Sequence, residues 1–377
     1  MASLSALAPR PPRVIGIDIA RGIASILMVQ GHAFDAWASE SAKASPWFAV
    51  ELLFLQTLAL PAFLVLSGAS LAFRVEAAVV RGQSASFVRR AVIRRALSIV
   101  GVGYALNAVS ALLDGWDGPQ TWLRADVLHV IGLSLAVLAL ALRGQKNSGD
   151  AIDVSNWVRA CWALAILPII ACPWVSRLSH DVEGPIGFVL GLFVDVSGIT
   201  RMPLVPLVSW AAMGVVVGRA MIERNRLVRS IAGAPSRTLF VMLWGAIAIA
   251  VIGTLAQNEI AQRLGGVFDR RHVAVMANAV QLAARGIGVV AFGALFALWI
   301  PERARKALVI LGRGSLWAYV FHIPLCYGHV ARWAGLQNAL SLGECAIAAS
   351  VLVLLSVGAA FGKHLSRSRA TPDVSTR

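Results

Sequence analysis

The chain has 377 residues, 58% of them hydrophobic and 14% charged, with a mean hydropathy of +0.73 and a formal net charge of +15. That composition excludes a water-soluble domain, and apolar runs of roughly 17–25 residues, each long enough to cross a hydrocarbon core, recur along the whole length. The alternating ten-residue segments of a β-barrel are absent, and the Lys and Arg residues gather in short loops between apolar runs, so the charge reads as topology and not as a nucleic-acid partner.

The expectation is therefore an all-α, polytopic integral membrane protein. Residues 1–14 form an N-terminal segment placed in the cytoplasm; no short apolar region with a small-residue cleavage site precedes Ile15, so the first helix is expected to be retained. That helix, Ile15–Trp37, runs outward, and the second, about Phe48–Phe73, returns to a loop holding Arg74, Arg81, Arg89, Arg90, Arg94 and Arg95. Helix three spans about Ala91–Leu113 and helix four about Asp126–Leu142, with Asp114, Asp117 and Arg124 in the loop between them. The polar linker Gly144–Ser155 leads to helix five, about Val158–Trp174. Ile186–Pro206 is too interrupted to span and reads as an elbow on the outer face, which lipid tolerates only where it lines a protein cavity. Helices six to ten follow at about Leu207–Met221, Leu239–Gln257, Val273–Trp299, Ala307–Tyr327 and Leu340–Phe361. The count is about ten spans over a transmembrane domain of residues 15–362, with a polar tail at 363–377 and both termini cytoplasmic. Every inner loop is then net basic and the outer loops are balanced, the asymmetry that the positive-inside rule demands.

Some features read as structural. Gly214-x-x-x-Gly218 and Gly358-x-x-x-Gly362 permit close helix approach, Pro61 kinks the second helix, and tryptophans near helix ends, Trp37, Trp47, Trp116, Trp122, Trp174 and Trp299, suit aromatic belts. The four cysteines have no ligand spacing, so no metal site is expected; a Cys326–Cys345 disulfide is the minor alternative to four buried thiols.

Ionisable groups inside a membrane span are costly, and the first helix holds four: Asp18, Arg21, His32 and Asp35. At about 100° and 1.5 Å per residue, Arg21 and His32 share one face about 16 Å apart, with Asp18 and Asp35 near the same stripe. A cation near the inner end suits an anionic donor, and an imidazole farther out suits proton transfer. The plainer alternative pairs Arg21 with Asp18 at the lipid headgroups and makes His32 a packing residue. Arg285, in the middle of helix eight beside Asn278 and Gln281, is a pocket candidate on the cost of its burial alone.

The stretch Arg13-Val-Ile-Gly-Ile-Asp18-Ile-Ala-Arg21-Gly22, with His32 following Arg21 after ten intervening residues, resembles the first helix of the membrane acyltransferase superfamily. That superfamily includes bacterial enzymes that O-acetylate surface polysaccharides and the heparan-alpha-glucosaminide N-acetyltransferase family. Leu60-Pro61-Ala-Phe63 with Ser67-Gly68, and Leu311-Gly312-Arg313 through Tyr319 to His322, are similar to later signatures of the superfamily. Asp126-Val-Leu128-His129 and Pro203-Leu-Val-Pro206 look closer to the heparan-type branch. The chain departs from the pattern in having four arginines at 89, 90, 94 and 95 in place of two set three apart, and in lacking the loop histidine that heparan-type enzymes carry after the first helix.

The resemblance implies transfer of an acyl group, commonly acetyl, from cytoplasmic acyl-CoA to a hydroxyl or amine of a carbohydrate or lipid-linked glycan at the outer half of a bacterial-type inner membrane. It assigns His32, Asp35 and His322 to catalysis and Arg21, Arg89, Arg90, Arg94 and Arg95 to the CoA phosphates. Asp18, Asp126, His129 and Arg285 are left as substrate contacts. The co-substrate is acyl-CoA with no metal, the other partners are membrane lipids, and an oligomer is compatible with the sequence. The competing readings are a transporter or flippase of the same sugar or lipid, without acyl chemistry, and a structural subunit of a membrane complex.

Overall fold

A computed structural model describes residues 14–114, 123, 125–145, 150–179, 182, 184–196, 202–228, 230–264 and 270–370. Among these residues every extended element is helical, apart from three isolated β-bridges. Among the described residues seven helices are long and apolar enough to cross a membrane, or eight if one bent pair counts as a span.

In chain order the elements begin with α1 (Ile15–Trp37), two short helices α2 (Glu40–Lys43) and α3 (Pro46–Glu51), a π-helical turn at Leu52–Gln56, and α4 (Thr57–Val80). They continue with α5 (Ala85–Asp114), α6 (Val127–Leu140), α7 (Val154–Ser179), α8 (Gly184–Leu190) and α9 (Leu204–Val228). The last are α10 (Ser236–Leu264), α11 (Arg270–Trp299), α12 (Glu302–Arg313), α13 (Ser315–Cys326), α14 (His329–Trp333) and α15 (Leu342–Ala370).

The centre of the bundle is built by glycine. A Cβ on Gly68 of α4 would come within 1.8 Å of the Ala211 carbonyl oxygen, and one on Gly214 of α9 within 2.1 Å of the Val65 carbonyl. The expected close approach at Gly214 and Gly218 is thus the α4/α9 crossing. α1 is pressed in the same way: Gly22 lies against the Leu308 carbonyl and Gly312 against that of Asp18, so α1 and α12 cross backbone on backbone. Fourteen residues of α1 are buried, which makes it a core helix despite its charges. By contrast only 11% of the apolar window of α10 is buried, so that helix faces outward.

The structure differs from the sequence reading at several points. The ninth expected span is two helices, α12 and α13, bent by 74° at Gly314, where a Cβ would stand 2.7 Å from that of Ala360. α6 has 14 residues, short for a span. α1 is long enough but carries Asp18, Arg21 and Asp35. Gly358 and Gly362 meet nothing within 4 Å, so the second small-residue pair makes no helix contact. Trp37 is not a belt residue: it is 3% exposed and donates its indole N–H to the Cys326 carbonyl at 3.1 Å. Trp47, Trp174 and Trp299 are exposed, as belt residues should be, while Trp116 and Trp122 lie outside the described residues. All four cysteines are buried free thiols. α15 runs on to Ala370, through much of the expected tail, and residues 371–377 lie outside the described set.

Two irregular pieces position the site. Pro61, inside α4, supplies no N–H to the ladder and leaves the Thr57 carbonyl without its helical donor; the π turn Leu52–Gln56 ends one residue before Thr57. The far end of α1 is stitched to the loop before α15 by Ser39 N–H to the Leu340 carbonyl at 2.9 Å and Leu340 N–H to the Trp37 carbonyl at 2.9 Å. These bonds, with the Trp37 indole, fix the last turns of α1 against the end of α13.

Candidate active site

The apolar sequence of α1 folds as one uninterrupted helix, and that places Arg21 and His32 at different levels of the bundle. At the Arg21 level the guanidinium donates to Ser70 Oγ at 2.5 Å and meets Asp18 Oδ1 at 3.4 Å. Asp18 in turn accepts from Arg313 Nε at 3.0 Å. Asp18 therefore bridges two arginines across the α1/α12 crossing, at the Arg21 level of the bundle.

Arg95 is close enough to Arg21 for their charges to interact, and Arg95 does the same with Arg74, itself a neighbour of Arg81. The four arginines expected at the start of a helix lie inside α5, which begins six residues earlier than the sequence reading placed it. Helical rotation consequently scatters them. Val88, Val92 and Ala96 form the buried face; Arg95 flanks it on one side and the half-buried Arg89 on the other, while Arg90 and Arg94 turn away from it; Arg90, Arg94 and Arg95 are all exposed. Arg89 donates to the Leu142 carbonyl at 3.1 Å, just past the end of α6. The cluster at this mouth is thus Arg21, Arg74 and Arg95, a set of forks fitted to phosphate.

At the other level α1 and α13 bring His32 and His322 together. His32 Nδ1 lies 2.8 Å from His322 Nε2, and the rings stack at 5.1 Å with 12° between planes. His322 is wholly buried, and its Nδ1 stands 2.8 Å from the Ala318 carbonyl oxygen, one turn back on α13. A carbonyl only accepts, so His322 Nδ1 carries the hydrogen and, in the neutral ring, Nε2 is an acceptor. His32 Nδ1–H must then donate to it, and Nε2 of His32 is left as the ring's basic nitrogen. The tautomer of His32 is set by a bond from a helix 290 residues away.

Aromatic rings and a carboxylate surround this pair. Tyr319 meets both imidazoles edge-on, at 6.4 Å from His32 and 5.6 Å from His322, and Tyr327 meets His32 at 5.7 Å. Tyr327 O–H donates to Asp35 Oδ2 at 2.8 Å. Asp35 therefore reaches the imidazole through Tyr327, and the partner that fixes His32 Nδ1 is His322. Below them Gln56, from the π turn, rests on Gly31 and donates to Glu51, a carboxylate that is 9% exposed and interacts with Asp35.

The other sequence candidates fall around this centre. Arg285 donates to Thr57 Oγ1 at 2.9 Å, so the cation reaches the break in α4 next to Gln56, while Gln281 is tied to Thr254 on α10 at 3.0 Å. Asp126 caps α6: its carboxylate accepts the Val127 N–H at 2.7 Å and its own N–H donates to His129 Nδ1 at 3.1 Å. His129 is wholly buried, packed on Gly103 and 4.2 Å from the Tyr104 ring, and serves as the other half of the capping box. Glu51, Gln56 and Tyr327 were missed by the sequence reading. An acidic residue inside the expected span Phe48–Phe73 was the available signal for Glu51.

Comparison with known families decides what this arrangement belongs to. The family model for the heparan-alpha-glucosaminide N-acetyltransferase catalytic domain matches residues 13–249, more than half of the chain. The chain belongs to this family. It is an integral membrane protein of the acetyltransferase kind, and the family in general takes acetyl-CoA as donor. No match is found among curated proteins. The matched span holds Asp18, Arg21, His32, Asp35, the arginines of α5, Asp126 and His129; His322, Tyr319, Tyr327 and Arg285 lie beyond it. The histidine pair thus joins the family's matched region to the last third of this acetyltransferase.

Proposed function

We propose that the protein transfers an acetyl group from acetyl-CoA, bound at the Arg21 end of α1, to a hydroxyl or amine of a carbohydrate or lipid-linked glycan presented at the His32 end. The observation that carries this reading is the His32–His322 contact, which makes His32 Nε2 the basic nitrogen and gives the imidazolium a partner once it forms. The eleven steps from Arg21 to His32 rise about 16 Å, a span comparable to an extended pantetheine arm reaching from a phosphate clamp to a reacting thioester. Arg21, Arg74 and Arg95 supply positive charge at one end, while the other end has the paired imidazoles.

In this mechanism His32 Nε2 removes the proton as the acceptor oxygen or nitrogen attacks the thioester carbonyl carbon. The carbon–sulfur bond breaks, and the thiolate takes the same proton from His32 to leave as the free thiol. His322 accepts the Nδ1–H bond throughout, so it steadies the cationic ring without itself changing protonation. The basic loops assigned to the inner side support a cytoplasmic donor and an outward-facing acceptor in a bacterial-type inner membrane.

The test is radiolabelled acetyl-CoA with nanodisc-embedded protein and a glycan acceptor, comparing wild type with His32→Ala. Label in the glycan, lost in the variant, is the expected result. Movement of the glycan across vesicles with no CoA release would replace the reading with transport.

A further inference from the structure

Among the described residues α10 is the least buried of the membrane-length helices, and one stripe of it is hollow. Arg237, Phe240, Val241, Trp244, Gly245 and Ala248 recur at helical spacing and line an open groove of about 710 Å³. Gly245 and Ala248 are its floor; a Cβ on Gly245 would meet nothing within 4 Å, so no neighbouring helix covers it. Phe240 and Trp244 stand exposed beside that floor, and the Phe240 ring lies 6.2 Å from that of Trp299, the exposed last residue of α11. Farther along, the outward side of α10 carries the branched side chains of Ile247, Ile249, Val251, Ile252 and Leu255.

The groove ends at a cation. Arg237 is exposed in the first turn of α10 and makes no ion pair among the described residues. From Arg237 to Ala248 the helix rises about 16 Å, close to half of a hydrocarbon core about 30 Å thick. This is also the Arg21 end of the bundle: at the start of α1 the Gly16 N–H donates to the Ile231 carbonyl at 3.0 Å, just before α10, and Val14 packs where Gly233 leaves room. A positive head site, aromatic rings beside it and an apolar trough one leaflet deep match the three zones of a phospholipid. A second copy of the chain fits less well, because two-fold pairing about the membrane normal through this stripe would bring two Arg237 side chains face to face at one level. Residues 1–13, which lead into Val14, carry Arg10 and Arg13 and no acid, the wrong sign for this end.

We propose that the α10 groove binds one anionic phospholipid of the leaflet at the Arg21 end, with its phosphate on Arg237 and one acyl chain over Gly245 and Ala248. Charge selects the headgroup: a phosphatidylcholine offers the same phosphate but sets its choline cation beside Arg237. Shape admits the chain, because the glycine floor leaves the trough open. The inference needs the membrane-spanning fold and not the transfer reaction.

The experiment places full-length protein in phosphatidylcholine nanodiscs doped with a photoactivatable phosphatidylglycerol or, in a parallel set, a phosphatidylcholine with the same diazirine-bearing chain. Cross-linked peptides are quantified by mass spectrometry, with thermal unfolding of each variant alongside. In wild type the phosphatidylglycerol probe should label Phe240–Ala248 about fivefold more than the phosphatidylcholine probe does, the scale of one basic side chain at a lipid surface. Arg237→Gln should bring that labelling down to the phosphatidylcholine level. Gly245→Leu, whose side chain enters open space and should leave the unfolding temperature unchanged, should lower it about tenfold with Arg237 intact. Equal labelling by the two probes, labelling spread evenly over the outward faces of α7 and α10, or labelling that neither variant lowers marks ordinary lipid solvation and overturns the proposal. A groove that stays unlabelled in a dimer that Gly245→Leu dissociates would assign it to a second copy and overturn the proposal equally.

Discussion

The tautomer argument is tested most directly at His322. Replacing it with alanine removes the acceptor of the His32 Nδ1–H, so the ring is free to carry its hydrogen on either nitrogen and the imidazolium loses its buried partner. A hydrogen bond to a charged group contributes about 1.5–3 kcal/mol, and each 1.36 kcal/mol is tenfold in rate. His322→Ala should therefore lower kcat about 10- to 150-fold while leaving KM for acetyl-CoA nearly unchanged. His32→Ala removes the base itself and should cost more, on the order of 10²–10⁴. His322 is wholly buried, so alanine also leaves a cavity worth about 2–5 kcal/mol of stability. His322→Gln controls for this by keeping most of the volume and offering a carboxamide oxygen to His32. The assay is initial-rate acetyl transfer in nanodiscs, with thermal unfolding of each variant alongside. An order of activity in which glutamine is no better than alanine at equal folded fraction, or an alanine variant within twofold of wild type, refutes the reasoning.

Arg21→Lys keeps the charge but loses the fork that spans Ser70 and Asp18, and it should raise KM for acetyl-CoA about tenfold with little change in kcat, as read from steady-state kinetics. Tyr327→Phe and Asp35→Ala each break the 2.8 Å bond beside His32; each should cost about fivefold in kcat/KM, and the double variant no more than either alone, because the two act as a unit. Gly312→Val places a Cβ 1.9 Å from the Asp18 carbonyl and should abolish folded protein in size-exclusion profiles, whereas Gly358→Val, with open space around it, should shift stability by no more than about 0.5 kcal/mol. Asp150 lies in the linker before α7, and hydrogen bonds from Ser86 at the start of α5 hold its carboxyl below the usual carboxylate range. Its contribution is present above the unfolded carboxylate value and lost as pH falls through the folded one, so Asp150→Asn should flatten the acid limb of the melting-temperature profile. Parallel acid limbs for the two proteins would show that the Asp150–Ser86 contact is energetically silent.

What the sequence made legible follows the physics of its signals. Composition settles the solvent, so the all-α membrane class is readable from hydropathy alone, and the stripe of α1 is readable because one helix keeps its own phase from Arg21 to His32. The same phase argument places the two ends about 16 Å apart without any tertiary information. Phase is lost once a helix boundary is misplaced. Starting helix three at Ala91 left Arg89 and Arg90 in a loop where they seemed free to converge, whereas a helix from Ala85 sends Arg90 and Arg94 away from the mouth. The bend at Gly314 and the π turn at Leu52–Gln56 carry no periodic signal, because a composition window sees apolar residues on both sides of each break. Those two irregularities do most of the positioning. The bend lets α12 lie across α1 at Gly22 while α13 carries His322 to the level of His32; a straight span over Ala307–Tyr327 could not serve both contacts. Asp126 and His129 show the converse case. As substrate contacts they are three residues apart, yet one turn at a helix start is also the spacing of a capping box, and the Asp126 N–H bonds His129 in that way. Chemistry-bearing residues could thus be named from their cost in the membrane, while their partners depended on breaks in the helices. It follows that variants at Gly314 or in the π turn should damage catalysis by misplacing His322 and Gln56, even though neither segment supplies a reacting atom.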